Sequence, residues 1–431
     1  MYELTKTQDK LLSDLQRDAF KYFIHEVNPD NGLVVDCTKE GWPSSICAVG
    51  MVLSAYPIGV EHNFISREEA IERTLRTLRF FAASEQSTNA DATGYKGFYY
   101  HFLDMNTGRR AWRCELSTMD STFLFAGMLA AAAYFDQDSA EESEIRRLAD
   151  ELYRRADWQW ATSGGATLRH GWRPESGFLE DRWDGYDEGM LANVLALGSP
   201  TFPLPPESYY ADVKAYEWKK VFDYEYVFAP PLFIHQFSHL WIDFREIQDA
   251  FIREHGLDYF ENSRRATYAH REYAKRNPNG FKGYSEVCWG LTACEGPGPR
   301  DITIDGVKRV FFDYVARGIP DGPDDGTLAP WAVVASLPFA PEIVLPALEH
   351  FNEIEVGLDH PYGLQATFNP TFPDGKGHEC GWVSPWHFGI NEGPIVLMIE
   401  NYRTDFLWRL MRSCPYILEG LLRAGFSGGW L

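Results

Sequence analysis

Residues 117–135 read STMDSTFLFAGMLAAAAYF, and residues 139–160 read SAEESEIRRLADELYRRADWQW. The first stretch is apolar nearly all round, which predicts a helix enclosed by protein on every side. The second is amphipathic and heavily charged, which predicts a helix with one face in water. An enclosed helix followed at once by a half-wet one is the unit of a two-layered helical ring, and the alternation recurs along the chain. Residues 7–27 set Leu11, Leu12, Leu15, Ala19, Phe23 and Ile24 on one stripe. Ser66 and Glu69 form a capping-box pair opening SREEAIERTLRTLRFFAA. Residues 187–197 are apolar and 258–276 charged and amphipathic, and 331–337, 341–351 and 394–402 are shorter helical segments.

Clear strand patterns are few, with 95–103 and 302–312 the best cases, and long Gly/Pro/Trp-rich loops occupy 28–45, 86–116, 161–186, 277–330 and 357–393. Loops of this length in a compact domain carry function. A helical solenoid would show a period of about 34–45 residues, and the chain has none. The expected fold is all-α: one domain, 1–431, built as an (α/α)6 toroid with long loops and a few short strands.

The chain has 62 Asp+Glu against 40 Lys+Arg, a formal charge of −22. Such a charge repels phosphate backbones and anionic lipid, so neither nucleic acid nor a membrane surface is an expected partner. With 14 Trp, 22 Tyr and 29 Phe the acidity does not signal disorder. No run of 18 apolar residues exists to span a membrane. The first twenty residues have no apolar leader core, and seven cysteines stand without a CxxC pair. Both point to reduced thiols and a cytoplasmic location, or a periplasmic or secreted one if a leader has been removed. No nucleophile elbow, phosphate loop or dinucleotide fingerprint is present, and no cofactor is expected.

Four loop segments set acids beside aromatic rings: Trp112 to Asp120, Arg182 to Met190, Trp289 to Pro297, and Trp382 to Gly393. Glu115 precedes the apolar helix and Asp120 sits in its first turn. The ordinary role of such an acid is to complement the helix dipole, but the helix is too apolar to lie at the surface, so its mouth faces a cavity. Asp187 and Glu188 enter the next apolar run. One can cap it, and the other is a candidate general acid, because burial among rings and a carboxylate neighbour raises a carboxyl pKa. Glu392 and Glu295 are the acids of the remaining two segments. Sugar rings pack CH faces on Trp and Tyr, their hydroxyls need polar partners, and glycoside hydrolysis needs two carboxyl groups flanking the bond. His235, His239 and Asp243 would share one face if their segment were α-helical, either as hydrogen-bonded polar residues or as a metal site. No hydrolytic metal motif accompanies them, and no metal is expected.

At these same segments the sequence resembles the bacterial glucoamylase-like superfamily, including the endo-β-1,2-glucanases of glycoside hydrolase family 144. The stretches are ELSTMDSTFLFAGML (115–129), GYDEGMLANVLALGSPTFPLP (185–205), FIHQFSHLWIDFR (233–245), ENSRRATY (261–268), WGLTACEGP (289–297), and ATFNP followed by GINEGPIVLMIENYRTDFLW (366–408). The resemblance implies an (α/α)6 barrel and a β-1,2-glucan or related β-glucoside as substrate. It also implies inverting carboxylate acid/base hydrolysis with no required metal. It matches Asp120 to an acidic helix position and Glu188 to a glutamate. Ser117 stands where the endo-glucanases carry a further Asp, Asp187 where Asn or Ser is commoner, and Glu392 where Gln is. These departures point away from endo action toward a related oligosaccharide-processing activity.

The expected roles follow. Glu188 is the general acid, with Asp120 or Glu392 at the water or the charged transition state, and Glu115 and Glu295 in reserve. Trp42, Trp112, Trp183, Trp289 and Trp386 are candidate sugar platforms. Tyr186, Asp187, Arg182, His235, His239 and Asn369 are candidate substrate partners. The rival readings are an (α/α)6 sugar isomerase or epimerase working through His235 and His239, a transglycosylase, and a glycan-binding protein without catalysis.

Overall fold

The computed structural model describes residues 2–357, 360–373, 375 and 377–431. Its first half contains α1 (Lys6–His25), α2 (Ile46–Glu61), α3 (Arg67–Ala83), α4 (Thr118–Tyr134), α5 (Ala140–Arg154) and the single turn α6 (Trp158–Ala161). The second half contains α7 (Met190–Gly198), α8 (Pro206–Val213), α9 (Ala250–Glu254), α10 (Tyr259–Arg276) and α11 (Pro330–Ala335). It ends with α12 (Pro341–Glu353), α13 (Gly389–Thr404), α14 (Phe406–Arg412) and α15 (Pro415–Arg423).

The helices form two concentric layers in an (α/α)6 toroid. The inner ring runs α2, α4, α7, a 3₁₀ segment over 232–240, α11 and α13, and closes by packing α13 on α2. Ser238 joins the 3₁₀ segment to α7, its hydroxyl accepting the Leu191 N–H at 3.2 Å. Gln236 joins it to α11, its amide donating to Ala332 O at 2.6 Å and to Ser336 Oγ at 2.7 Å. Outside lie α1 behind α13, α3 and α5 behind α2 and α4, α15 behind α7, α10 behind the 3₁₀ segment, and α12 beside α11. The layers follow the sequence patterns. Helix α4 is buried on nearly all sides, whereas α5 buries Ile145, Leu148, Ala149, Leu152 and Tyr153 and exposes most of its charges, Glu142 being buried against Arg67.

Glycines set how closely the inner helices approach. A Cβ on Gly50 of α2 would fall 2.2 Å from Phe123 O, and one on Gly127 of α4 would fall 2.1 Å from Gly50 O. Any side chain there would force the two backbones apart.

Three local expectations change. Helix α2 was not anticipated after the 28–45 loop; its sequence, ICAVGMVLSAYPIGVE, is apolar all round and is interrupted by Pro57. The strand expected over 302–312 is a hairpin, with Arg300–Ile304 antiparallel to Val307–Phe311 and a turn at the left-handed pair Asp305 and Gly306. The 95–103 strand is broken by left-handed Lys96 and Gly97, and Phe98–Tyr100 joins a small five-stranded sheet. In that sheet Tyr99 pairs with Ser117 and Tyr100 with Leu116, at the entrance to α4. Among the described residues no helix is long and apolar enough to cross a membrane.

Candidate active site

The N-terminal ends of α4, α7, the 3₁₀ segment, α11 and α13 surround one cavity of about 320 Å³. Four acids line it, Glu115, Asp120, Glu188 and Glu295, all four of them singled out from the sequence. Trp183 lines it too, and the remaining wall is largely apolar, from Phe123, Phe233, Phe237, Trp331 and Phe388.

Asp120 is placed by the cap of α4. Ser117 Oγ accepts the Asp120 N–H at 3.1 Å and donates to Asp120 Oδ2 at 2.5 Å. Its other oxygen, Oδ1, stands 3.5 Å from His101 Nε2. His101 is brought there by sheet register: the pairing that sets Tyr100 opposite Leu116 sets His101 opposite Glu115, with the His101 N–H donating to Glu115 O at 3.0 Å. The side chains then meet, His101 Nδ1 lying 2.9 Å from Glu115 Oε1. Burial opposes a charge on His101, yet Asp120 and then Glu115 outweigh it and raise the imidazole to about 9. Burial likewise opposes the Glu115 charge, and the bond to His101 overcomes it and lowers the carboxyl below its ordinary value.

Glu188 has a contrasting environment. The loop before α7 is fixed by the Gly185 N–H to Asp212 Oδ1 at 2.8 Å, the Gly189 N–H to Asp187 Oδ1 at 2.7 Å, and Thr167 Oγ1 to Asp184 at 2.5 Å. Burial, then the neighbouring Asp187 carboxylate, push the Glu188 carboxyl up to about 8, with Asp120 adding to the shift. The same cavity therefore holds an acid that favours its proton and an acid beside an imidazolium. Glu295 is raised as well, by burial above all, and accepts a hydrogen bond from Ser384.

Several expected site residues lie elsewhere, for identifiable reasons. Glu392 is sealed below the cavity wall, 1% exposed, with Oε1 2.7 Å from His387 Nδ1. Its neighbours Ile390 and Asn391 line the cavity instead. His235 and His239 do not share a helix face, because 232–240 is 3₁₀ and not α. His235 Nε2 sits 3.2 Å from Ala229 O, and His239 Nε2 sits 3.0 Å from Ser263 Oγ, both buried between layers. Asp243 pairs with Arg245 and Arg412. Trp289 is fully buried, and buried Asn369 donates to Asp325 O and Thr327 Oγ1, each at 3.0 Å. Arg182 donates to Thr162 O at 3.0 Å and to Thr167 O at 2.5 Å, clamping its own loop. Tyr186 packs among Tyr216, His235 and Tyr259, Asp187 caps the Gly189 turn, and Trp386 lies outside the cavity wall. Trp42 and Trp112 also lie off the wall, meeting edge to face at 4.7 Å, and Trp112 is 56% exposed. Phe102 links them to the site, 5.1 Å from Trp112 and stacked on His101 at 3.9 Å.

The sequence reading missed His101, His170, Tyr314 and Asn391 on the cavity wall. His170 stacks on Trp183 at 3.9 Å, and Trp183 Nε1 donates to Thr118 Oγ1 at 3.0 Å. The only sequence signal for His101 was its place at the end of a strand pattern. Its partner was set by a register that no local pattern reveals.

A closed (α/α)6 ring with paired acids and aromatic rings at the inner-helix mouths defines a class of carbohydrate-processing folds. A family model described as "Putative glucoamylase" matches residues 180–415, and the chain belongs to this glucoamylase family. A curated relative, an exo β-1,2-glucooligosaccharide sophorohydrolase (non-reducing end) from Parabacteroides distasonis, is 28% identical over 96% of this chain. The chain spans 58% of that relative's length. An endo-β-1,2-glucanase from Chitinophaga pinensis, solved with sophorotriose and glucose, is 25% identical with a TM-score of 0.86 and full coverage of both chains. A "putative glucoamylase" from Bacteroides uniformis is 29% identical with a TM-score of 0.85, again over both whole chains.

Proposed function

We propose that the protein is a glycoside hydrolase acting on β-1,2-linked gluco-oligosaccharides. One observation carries the reading: Asp120 and Glu188 line a single cavity in opposite electrostatic settings, as an acid/base pair requires. Glu188, held protonated, donates to the leaving glycosidic oxygen. Asp120, held beside His101, takes the proton of the attacking water or faces the developing positive charge of the sugar ring. Trp183 supplies the ring platform. In this reading Glu295 and Asn391 meet hydroxyl groups, and Trp42 and Trp112 meet a sugar unit outside the cavity.

The linkage comes from the relatives, a sophorohydrolase and an endo-β-1,2-glucanase. The cavity, about 320 Å³, is at the small end of the range for ligand sites, which supports short oligosaccharides over polymer. Cys37, Cys47, Cys114, Cys288, Cys294 and Cys414 are free and buried thiols, which supports a reducing compartment such as the cytoplasm. The isomerase reading is disfavoured by the burial of His235 and His239 away from the cavity.

The test is incubation with glucans and oligosaccharides of defined linkage, with products separated by chromatography and their anomeric form followed by NMR. Hydrolysis confined to β-1,2 linkages is the expected result. Interconversion of free sugars without hydrolysis would overturn it.

A further inference from the structure

We infer that His101 is a positioning residue: its imidazolium holds the Asp120 carboxylate at the cavity wall. The inference rests on the hydrolase reading for its kinetic part and on geometry for the rest. Among the described residues, the side chains lining the cavity include four carboxylic acids and two histidines, and neither Lys nor Arg. Of the two, His170 is lowered by burial and stacks on Trp183, so it is the less suited to carry charge. Among the described residues that line the cavity, His101 is the one set up to carry a positive charge.

His101 is gripped from both sides. Nδ1 lies 2.9 Å from Glu115 Oε1 and Nε2 lies 3.5 Å from Asp120 Oδ1. Carboxylates facing both ring nitrogens favour the doubly protonated ring, Glu115 through a hydrogen bond at Nδ1 and Asp120 through an ion pair at Nε2. The titratable groups facing it are Asp120 and Glu115 from the α4 entrance and Asp36 from the 28–45 loop, with Arg173 beyond, 3.6 Å from Glu115. Asp36 is itself raised by burial to about 6 and receives the Trp42 indole N–H at 3.2 Å. Asp120 then has both oxygens engaged, Oδ1 toward His101 and Oδ2 by the Ser117 hydroxyl. One carboxylate orientation is fixed before water or sugar arrives, which lowers the reorganisation needed during the reaction. His101 neither gains nor loses a proton in the cycle.

The direct test needs no substrate: a 15N-detected NMR titration of the histidines in the intact protein. His101 should remain doubly protonated at pH 7.5 and titrate near 9, and its midpoint should fall by one unit or more in Asp120→Asn. The kinetic test is His101→Gln, expected to lower kcat about 10–100-fold, with KM little changed. It should also move the acidic limb of the kcat/KM profile toward neutral pH. Added imidazole should restore part of the rate of His101→Ala and none of that of Asp120→Asn. A His101 midpoint near 6.5 in the wild type, or a His101→Gln variant with unchanged kcat and pH profile, would overturn the inference while leaving the hydrolase reading intact. Absence of hydrolysis by the wild type would sink that reading, and the NMR midpoint would still decide whether the imidazolium is held.

Discussion

Asp120 is the third residue of α4, and Glu392 is the fourth residue of α13; each is an acid in the first turn of an inner helix. Asp120 lines the cavity, whereas Glu392 is buried against His387 with its second oxygen lacking a partner among the described residues. The residue of α13 that occupies the third position is Asn391, and it does line the cavity. One residue along an α-helix is about 100° of rotation. That step separates an acid that can meet a substrate from one that props up the wall. An acid at an inner-helix mouth is therefore a site residue only at the correct helical phase, and the phase is set by where the cap begins.

The largest effect expected to test this contrast is at Glu188, the acid that shares the cavity with Asp120. Glu188→Gln should lower kcat by about 10²–10⁴-fold while sugar binding by calorimetry persists. In the wild type, kcat/KM should fall as pH rises through about 8, because the raised Glu188 carboxyl then loses the proton it must donate. A profile flat across that range would remove Glu188 from the acid role. Asp120→Asn should cost a comparable or slightly smaller factor, about 10²–10³-fold, with the protein still folded by thermal melt. Full turnover in that variant would erase the distinction from Glu392.

Trp183→Ala should act mainly on KM, raising it about 10-fold or more if the ring buries a sugar face, and initial rates over a substrate series would show whether kcat moves instead. The smallest kinetic change belongs to Glu392. Glu392→Gln keeps a hydrogen bond to His387 Nδ1 and should leave kcat close to the wild-type value. Glu392→Ala leaves that nitrogen unpaired in the core and should cost about 1–3 kcal/mol of stability, read by denaturant titration. A collapse of kcat in Glu392→Gln, without loss of stability, would place Glu392 in the chemistry after all.

The helical ring was largely legible because its layers differ in composition. STMDSTFLFAGMLAAAAYF has no polar face to offer water, so its helix must be enclosed, and the charged helix after it must lie outside. The winding of 232–240 was not legible, because an i, i+4 pattern does not report whether the chain winds at 3.6 or 3.0 residues per turn. The acids at helix mouths were legible as candidates, since Asp120 and Glu188 precede or open apolar runs. The histidine between Asp120 and Glu115 was not, because its contacts come from pairing two strands fourteen residues apart.

The sequence by itself determined which helices are enclosed and which acids stand at their entrances, because burial and capping act through neighbouring residues in the chain. Only the tertiary structure decided which of those acids share a cavity and which is paired with His101. It also decided which aromatic rings, Trp183 at the wall and Trp289 in the core, can be reached. Those outcomes depend on ring closure, helical phase and strand register, through which residues distant in sequence become neighbours.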